Sequence, residues 1–493
     1  MAAIYGGQCA TIFLGKREGS FVIVSTTLRT SRKLTNLLYA SLPLKWIPRR
    51  TPERRPQRIV QHRQASLKQL VVLREFQFPW NSGNVGGVSY PRVTMRRLLY
   101  RCLPIVALLF LLQCANAQPN ASAPANSATP TPPGILTTQP DRWSEAQANA
   151  WYAQQPWLVG ADYIPRDAIN QLEMWQAATF NPEEIDQELG WAQAIGMNTM
   201  RVFLHDLLWK QDPQGFQQRI NTFLTIADKH HIRPIFVLFD SCWDPDPKLG
   251  PQHPPIPGVH NSGWVQGPGM AALRDPAQYP RLEVYVKGVV GAFANDPRVL
   301  AWDLWNEPDN GDDTSYGKIH SEKSKSELVA ELLPQVFSWA RSQHPVQPLT
   351  SGVFYGDWND FSQLKPVQKI QIGESDVLSF HSYGWPEVFE QHLIELQTYH
   401  RPIICTEYMA RGVGSTFDTI LPIAMKYHVA AINWGLVNGK TQTNLPWDSW
   451  QRPYVLEKPP VWFHDVFYPD GKPYRQHEID LIRQWTSTMN QSH

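Results

Sequence analysis

Two glutamates that lie 100 residues apart in the sequence carry the side chains best suited to acid–base chemistry. Glu307 stands between Asn306 and Pro308, and Glu407 precedes Tyr408. A pair of carboxyl groups supports catalysis when one is protonated and the other is ionised. The protonated group then acts as an acid, and the ionised group acts as a base or a nucleophile. Such a pair can act together only if the fold brings the two side chains close to each other.

Short apolar, β-branched runs alternate with helix signals over residues 141–493. Helix starts are indicated where Asn181 or Asp212 directly precedes a proline, because Asn and Asp cap helices and Pro suits the first turn. Eight strands alternating with helices predict one α/β domain, a (β/α)8 TIM barrel. The alternative is a doubly wound open sheet, but the Gly-rich phosphate loop usual after its first strand is missing. The predicted strands cover residues 157–163, 198–205, 233–240, 299–306, 348–354, 376–383, 401–408 and 429–436.

In such a barrel the chemistry takes place at the carboxyl ends of the strands. Glu307 ends the predicted fourth strand, and Glu407 ends the seventh. Strand alternation places Glu307 on the same side as Asp303 and Trp305, and Glu407 on the same side as Cys405. The two carboxyl groups are therefore predicted to meet at one face of the barrel. The alternative for each is a solvated acid at a strand end.

The segments WDLWNEP at 302–308 and IICTEY at 403–408 resemble the paired motifs of glycoside hydrolase clan A. The resemblance is greatest to family 5, the cellulase-type family, and it extends over about residues 157–440. It implies that Glu307 is the general acid/base, that Glu407 is the nucleophile, and that the anomeric configuration is retained. Retaining hydrolysis independently requires two carboxyl groups about 5–5.5 Å apart, one of them protonated.

The same resemblance implies that five further residues bind the substrate or the nucleophile. Arg201 would pair with the nucleophile, and Asn306 would bind the sugar 2-hydroxyl. His381 would contact the substrate, and the hydroxyl of Tyr383 would donate a hydrogen bond to the nucleophile. Trp434 would form the stacking platform at the cleaved sugar. The alternatives are a solvated arginine at a strand end, a packed aromatic pair at 381 and 383, and a core tryptophan.

The end of the third strand departs from the family pattern. Many family 5 members have a histidine there, but residues 239–243 read Phe-Asp-Ser-Cys-Trp, which leaves the subfamily and its sugar contacts open. Asp240 is a candidate for binding a sugar hydroxyl, and a loop-capping role is the equal alternative. The long loop at 242–270 has Trp243 and Trp264 near its ends, and we expect it to form an ordered wall over the cleft.

Further side chains of the top-face loops are candidates with less support. We expect some of four other tryptophans in these loops to form sugar subsites and the rest to pack. His253 and His260 of the long loop are predicted to be surface residues, because no ligand spacing for a metal surrounds them. No metal ion and no cofactor are predicted. The four tryptophans are Trp358, Trp385, Trp447 and Trp450.

The charge and composition of the first 140 residues differ from those of the rest. Residues 1–94 hold 15 Lys and Arg but only three acids, and we interpret them as a start-site misassignment without a fold, an Arg-rich transit segment being the alternative. Residues 95–117 have the arginine pair, the apolar run and the Ala-Asn-Ala ending of a secretory signal peptide, with cleavage after Ala117. Residues 118–140 are rich in Pro, Ala, Ser and Thr and are predicted to be a flexible linker.

The charge of the predicted domain restricts its partners. Beyond residue 117 the chain has 27 Lys and Arg against 41 Asp and Glu, a net charge of −14, which argues against a nucleic-acid partner. We expect a secreted or periplasmic enzyme, without stable membrane insertion after signal cleavage, that hydrolyses a β-linked polysaccharide or oligosaccharide. β-1,4-Glucan, mannan and xylan remain open as substrates, as do endo or exo action and the oligomeric state. The alternatives are a non-catalytic carbohydrate-binding barrel and a metal-dependent hydrolase.

Overall fold

The structure, a computed structural model, describes most of the chain beyond residue 140 and three short segments before it. The predicted signal peptide and linker lie outside the described residues, and their assignments stay predictions. Among the residues described, none of the helices is both long enough and apolar enough to cross a bilayer. The described residues are 2–5, 8–17, 20–26, 141–311, 316 and 323–490.

The chain divides into two compact units, Met1–Pro124 and Ala125–His493. In the first unit, Ala2–Tyr5, Gln8–Arg17 and Ser20–Thr26 form an antiparallel three-stranded sheet. We predicted no fold for residues 1–94, so this sheet was not expected. The interpretation of that segment as a start-site misassignment stays a prediction.

The second unit contains eight parallel strands, which confirms the predicted (β/α)8 barrel. The order of strands in the sheet is β5-β4-β3-β2-β1-β8-β7-β6. A parallel bridge between Val353, just beyond β5, and Phe380 in β6 closes the ring. All eight predicted strands are present, each within its predicted range. Their bounds are β1 Val159–Asp162, β2 Thr199–Phe203, β3 Arg233–Val237, β4 Ala301–Asp303, β5 Leu349–Thr350, β6 Leu378–His381, β7 Ile403–Tyr408 and β8 Ala430–Trp434.

Helices precede the first strand and follow every strand. The described helices are α1 Glu145–Tyr152, α2 Gln171–Trp175, α3 Pro182–Ala194, α4 Asp206–Gln211, α5 Pro213–Lys229, α6 Met270–Arg274, α7 Tyr279–Phe293, α8 Lys325–Arg341, α9 Pro366–Glu374, α10 Pro386–Gln397, α11 Phe417–Lys426 and α12 Gln476–Asn490. Short 3-10 turns occupy Pro276–Gln278, Phe361–Gln363, Arg411–Val413 and Trp447–Trp450.

Side-chain caps start the helices where the sequence indicated. The Asn181 side chain accepts a hydrogen bond from the amide of Glu184 at the start of α3. Asp212 does the same for the amide of Gly215 in α5. Each cap satisfies one of the amide groups that a helix start leaves without an intrahelical partner, so these two residues define where the helices begin.

The barrel core is apolar, and its tight packing depends on one small residue. Met200 and Val202 of β2 and Phe236 of β3 belong to a large buried cluster that also includes the inner faces of the helices. A Cβ atom at Gly160 in β1 would collide with the carbonyl group of Thr199 in β2. The close approach of these two strands therefore requires glycine at this position. The core provides a rigid base for the side chains at the carboxyl ends of the strands.

Candidate active site

The barrel brings the two predicted carboxyl groups together. Glu307 lies just beyond β4, and Glu407 lies within β7, near its carboxyl end. An oxygen atom of each carboxyl group and a ring nitrogen of His381 all lie within 4.8 Å of one another. Both glutamates are buried, with 8% of Glu307 and 4% of Glu407 exposed. A reacting atom between them is therefore within reach of both carboxyl groups.

The backbone departs from regular geometry at both glutamates. Glu307 has φ of 41°, in the left-handed region that non-glycine residues rarely adopt. In β7 the register with both neighbouring strands shifts after Cys405, which is the signature of a β-bulge. The period-two alternation that we used to orient Glu407 is interrupted there. Such local strain and bulges are over-represented at functional sites, because they re-aim a side chain.

A single arginine connects the polar groups beneath the two carboxyl groups. The guanidinium group of Arg201 is fully buried and contacts Asp162 at 2.8 Å, Asp303 at 2.8 Å and Glu407 at 2.9 Å. Its Nη2 atom also donates to the side-chain oxygen of Asn306 at 2.7 Å. Burial lowers the pKa of Arg201, but the three carboxylates outweigh that effect and raise it. Arg201 is therefore a buried cation, and the alternative of a solvated arginine is wrong.

Glu407 accepts hydrogen bonds from strong donors on both of its oxygens. Arg201 donates to Oε1 at 2.9 Å, and the hydroxyl of Tyr383 donates to Oε2 at 2.7 Å. Burial and the nearby carboxyl group of Glu307 raise the pKa of Glu407 above its ordinary value, and Arg201 and the hydroxyl of Tyr383 offset this only in part. Tyr383 thus makes the contact that the family resemblance implied. The two donors favour the carboxylate form of Glu407, since a cation and a hydroxyl donor both stabilise negative charge.

Glu307 has weaker, uncharged donors. Its Oε2 atom accepts from the thiol of Cys242 at 3.1 Å and from the side-chain amide of Asn310 at 2.7 Å. Burial raises the pKa of the Glu307 carboxyl, and the donors from Asn310 and Cys242 lower it only in part. Because Arg201 bonds to Glu407 and not to Glu307, we assign the proton of the pair to Glu307.

His381 lies between the two carboxyl groups. Its Nδ1 atom is 2.8 Å from Oε1 of Glu307 and 3.4 Å from Oε2 of Glu407. Burial lowers the pKa of the imidazole to about 4, so the ring is neutral at neutral pH. His381 therefore holds the carboxyl group of Glu307 in place by a hydrogen bond without adding a charge. Its predicted contact with a substrate stays a prediction.

Asp240 orients its neighbours, and both of its oxygens are engaged. Oδ1 accepts from the amide of Cys242 and from the side chain of Asn306, each at 2.9 Å. Oδ2 accepts from the indole of Trp264 at 2.6 Å. Burial raises the pKa of Asp240 to about 6. Of the two roles left open by the sequence, these contacts support the loop-capping one, together with the positioning of Asn306 and Trp264.

The glutamates open into a cavity of about 790 Å³, a size typical of ligand sites. Trp434 and Trp264 lie edge to face at 5.8 Å, and Trp243 stacks on Trp450 at 5.4 Å. Trp447 also lines the cavity. Trp243, Trp434, Trp447 and Trp450 offer apolar ring surface of the kind on which sugars stack, whereas Trp264 is 2% exposed and packs against Trp434.

Several loop residues differ from what the sequence suggested. His260 is 1% exposed and bonded through Nδ1 to the carbonyl of Leu445, so its prediction as a surface residue is wrong. Trp358 is fully buried, whereas Trp385 is exposed, and neither lines the cavity. Cys242 and Asn310 contact Glu307 but were not predicted to belong to the site. The one available signal was the cysteine near the position where the family has histidine.

Glu307, His381 and Glu407 form the group in the described part of the chain whose donor atoms are close enough to hold a metal ion. Their surroundings fit proton chemistry better than metal binding. The guanidinium group of Arg201 forms an ion pair with one oxygen of Glu407, and its positive charge would repel a divalent cation. The hydroxyl of Tyr383 occupies the other oxygen. The alternative of a metal-dependent hydrolase therefore has little support from this donor set.

No protein-family profile and no curated protein matches the chain. Solved structures with a similar fold include an exo-β-1,4-mannosidase from Opitutaceae bacterium strain TAV5, at 17% identity and a TM-score of 0.47. The match covers 72% of this chain but only 63% of the mannosidase.

Two further similar structures are mannanases. The endo-β-1,4-mannanase from Thermotoga petrophila matches at 15% identity and a TM-score of 0.44, over 70% of this chain and 79% of that one. The β-mannanase from the blue mussel Mytilus edulis matches at 14% identity and a TM-score of 0.43, over 60% of this chain and 90% of that one. These likenesses concern the fold, and the interpretation of the site rests on its own geometry.

Replacing Arg201 by Met should destabilise the protein by about 3–5 kcal/mol, because it leaves three buried carboxyl groups without their cation. Urea denaturation followed by tryptophan fluorescence measures this change in the free energy of unfolding. Arg452→Met is the matched control, since that arginine is 78% exposed and its ion pair with Glu457 is solvated. Similar losses in the two variants would contradict the proposed importance of the buried network.

Proposed function

We propose that this protein is a retaining β-glycoside hydrolase of the clan A, family 5 type, with Glu407 as nucleophile and Glu307 as acid/base. The observation that carries the proposal is the pair of carboxyl oxygens within 4.8 Å, one with a cationic partner and one without. Retaining enzymes place their carboxyl groups about 5–5.5 Å apart, whereas inverting enzymes separate them by about 6.5–9.5 Å to admit a water molecule. The short separation here supports retention.

In the first step, a carboxylate oxygen of Glu407 attacks the anomeric carbon of the bound sugar. The bond from that carbon to the leaving oxygen breaks, and Glu307 transfers its proton to the leaving oxygen. Arg201 and Tyr383 hold the attacking carboxylate in its ionised form and in a fixed orientation. The product of this step is a glycosyl ester of Glu407 together with the released alcohol.

In the second step, the carboxylate of Glu307 removes a proton from water. The resulting nucleophile attacks the anomeric carbon and displaces Glu407, which restores both carboxyl groups to their starting states. Two inversions give net retention. In this proposal Asn306, which is bonded to Arg201 and Asp240, binds a sugar hydroxyl, and Trp434 supplies an apolar ring against the face of the sugar.

The proposed substrate is a β-linked polysaccharide or oligosaccharide, with β-1,4-glucan, mannan and xylan as candidates. We also propose that the enzyme is secreted or periplasmic, on the basis of the signal-like residues 95–117. A non-catalytic carbohydrate-binding barrel would need only the aromatic cavity. The paired glutamates with unlike surroundings support catalysis over that alternative.

Replacing Glu407 by Ala should reduce hydrolysis of aryl β-glycosides by several orders of magnitude, because no nucleophile remains. Added azide should partly restore turnover by entering the space left by the side chain, and it should give a glycosyl azide of inverted configuration. Proton NMR of the product identifies the anomer. Glu183→Ala, an exposed glutamate at the start of α3, is the control. Full activity of the Glu407 variant would remove that residue from the nucleophile role.

Replacing Glu307 by Ala should affect substrates according to their leaving groups. Aryl glycosides with acidic phenols leave without protonation, so their first step should be nearly preserved, whereas oligosaccharides should lose about 10²–10⁴-fold in kcat/KM. Steady-state kinetics on dinitrophenyl β-glycosides and matched oligosaccharides provide the comparison. Equal losses on both classes would argue against an acid role for Glu307.

The Cys242 thiol should set the alkaline limit of activity through its hydrogen bond to Glu307. The acid must be protonated, so kcat/KM falls as pH rises through the pKa of Glu307. The thiol stabilises the ionised carboxylate, so Cys242→Ala should raise that pKa. The alkaline limb should then move up by about 0.5–1 pH unit, the equivalent of one neutral hydrogen bond. Cys242→Ser keeps a donor and should move less. An unmoved limb in the alanine variant would contradict this role.

A further inference from the structure

Two long loops meet over one side of the catalytic cavity. The first, residues 242–270, follows β3, and the second, residues 438–475, follows β8. Hydrogen bonds between the loops are short, and most of them involve backbone groups. They run from Asn261 N to Thr441 O at 2.7 Å, from His260 N to Ser449 Oγ at 2.9 Å, from Gln442 Nε2 to Ile256 O at 2.7 Å, and from Trp450 Nε1 to His260 O at 2.8 Å. The paired loops form a continuous wall.

Exposure of the lining residues differs between the two ends of the cavity. At the wall, His260 is 1% exposed and Trp264 is 2% exposed. Beyond β5, Tyr355 also lines the cavity but is 66% exposed. We call the end at the two loops, where His260 and Trp264 are buried, the closed end, and the end at Tyr355 the open end; Trp447 of the second loop also lines the cavity and is 38% exposed.

Glu307 has contacts in both directions: its carboxyl group accepts a hydrogen bond from Cys242 at the start of the first loop, and the segment after it reaches the open end. The segment after Glu307 contacts the elements around Tyr355, since Lys365 pairs with Asp309 at 3.2 Å and lies over the ring of Tyr355 at 5.4 Å. A general acid protonates the leaving oxygen, so the leaving group extends toward this end. The sugar that is attacked lies on the other side, against Trp434, which contacts Trp264 of the closed end.

At the closed end, Asn261 has a buried amide group without hydrogen bonds. Among the described residues neither its Oδ1 nor its Nδ2 has a partner, and the residue is fully buried and lines the cavity. An unpaired buried polar group costs about 1–3 kcal/mol, so its retention next to a cavity points to a ligand that supplies the missing partners. An amide offers one acceptor and two donors, which matches the hydroxyl groups of a sugar.

The neighbouring His260 adds a further acceptor. Its Nδ1 atom is 2.8 Å from the carbonyl of Leu445, so this nitrogen carries the hydrogen and Nε2 is left as an acceptor. Burial lowers the pKa of the ring to about 4, so this tautomer persists at neutral pH. The ring lies 5.7 Å from that of Trp243, and both residues line the cavity.

We infer that the cavity is a blind pocket for the non-reducing end of a β-glycan, and that Asn261 and His260 bind hydroxyl groups of its terminal sugar. The inference rests on the proposed glycoside hydrolase function. A chain that enters from the Tyr355 end can advance only until its terminal sugar meets the wall. The enzyme then acts from chain ends and releases one product of fixed length.

The direct test follows the products from β-1,4-linked gluco-, manno- and xylohexaose labelled with 2-aminobenzamide at the reducing end. Mass spectrometry at early conversion should show one unlabelled short product and a labelled remainder shortened by the same number of sugars. A second set of hexaoses, blocked at the non-reducing end by a 4,6-benzylidene group where the sugar allows it, should resist cleavage. Several internal fragments at the first time points, or cleavage of blocked chains, would overturn the inference.

The same experiment separates this inference from the proposed function. Internal cleavage with retained configuration would leave the hydrolase assignment intact and overturn only the blind pocket. Cleavage of aryl β-glycosides without cleavage of any hexaose would also overturn the blind pocket, because its open end must accept a chain. Absence of turnover on every aryl glycoside and every hexaose would overturn the proposed function and this inference with it.

Asn261→Gly tests the amide without straining the backbone. Asn261 has φ of 48°, which glycine adopts freely, so the variant removes the side chain alone. We expect kcat/KM on the cleaved hexaose to fall about tenfold or more, the loss of one or two hydrogen bonds. His344→Gly, at φ of 50° and exposed beyond α8, is the matched control and should keep full activity. A thermal melt verifies folding. Wild-type kcat/KM in folded Asn261→Gly would remove Asn261 from substrate binding.

Discussion

The buried charge of Arg201 is the interaction on which the candidate site depends. One guanidinium group compensates Asp162, Asp303 and Glu407 at the centre of the barrel, where an uncompensated carboxylate would be very costly. The fork of the guanidinium group also reaches Asn306 next to Glu307. Residues from four strands or strand ends are thereby held in one network. Burial makes this network costly in free energy, and it also fixes the geometry of the network, because each group has few alternative hydrogen-bond partners.

The ion pair of Arg201 also distinguishes the surroundings of the two glutamates. Both carboxyl groups are desolvated, which raises both pKa values, but only Glu407 has a cation within hydrogen-bonding distance. Glu307 instead has a thiol, an amide and a neutral imidazole as neighbours. Two chemically identical side chains thus have unlike surroundings, and the difference comes from one ion pair rather than from the barrel itself.

The fold and the meeting of Glu307 and Glu407 could be predicted from the sequence because their signals are local. Each barrel strand is a short apolar run, and the caps at Asn181 and Asp212 depend on residues three positions apart. The roles of Arg201 and Tyr383 came from motif resemblance, and the structure places both side chains on Glu407. Whether they act in catalysis stays a prediction. The predicted strands were too long, because buried apolar residues such as Leu238 and Leu304 continue the runs beyond the ends of β3 and β4.

The remaining features depend on contacts between distant segments, and no local pattern reports them. The bond from Cys242 to Glu307 requires the loop after β3 to fold back over β4, and the burial of His260 requires the loop after β8. Both loops are irregular, so neither the two-residue spacing of apolar residues in strands nor the 3.6-residue spacing in helices applies to them. A barrel of this kind supplies the acid–base pair from its strands, whereas loops supply the walls that select a substrate. The unpaired amide of Asn261 belongs to such a wall, and its partner is therefore to be sought in the ligand rather than in the fold.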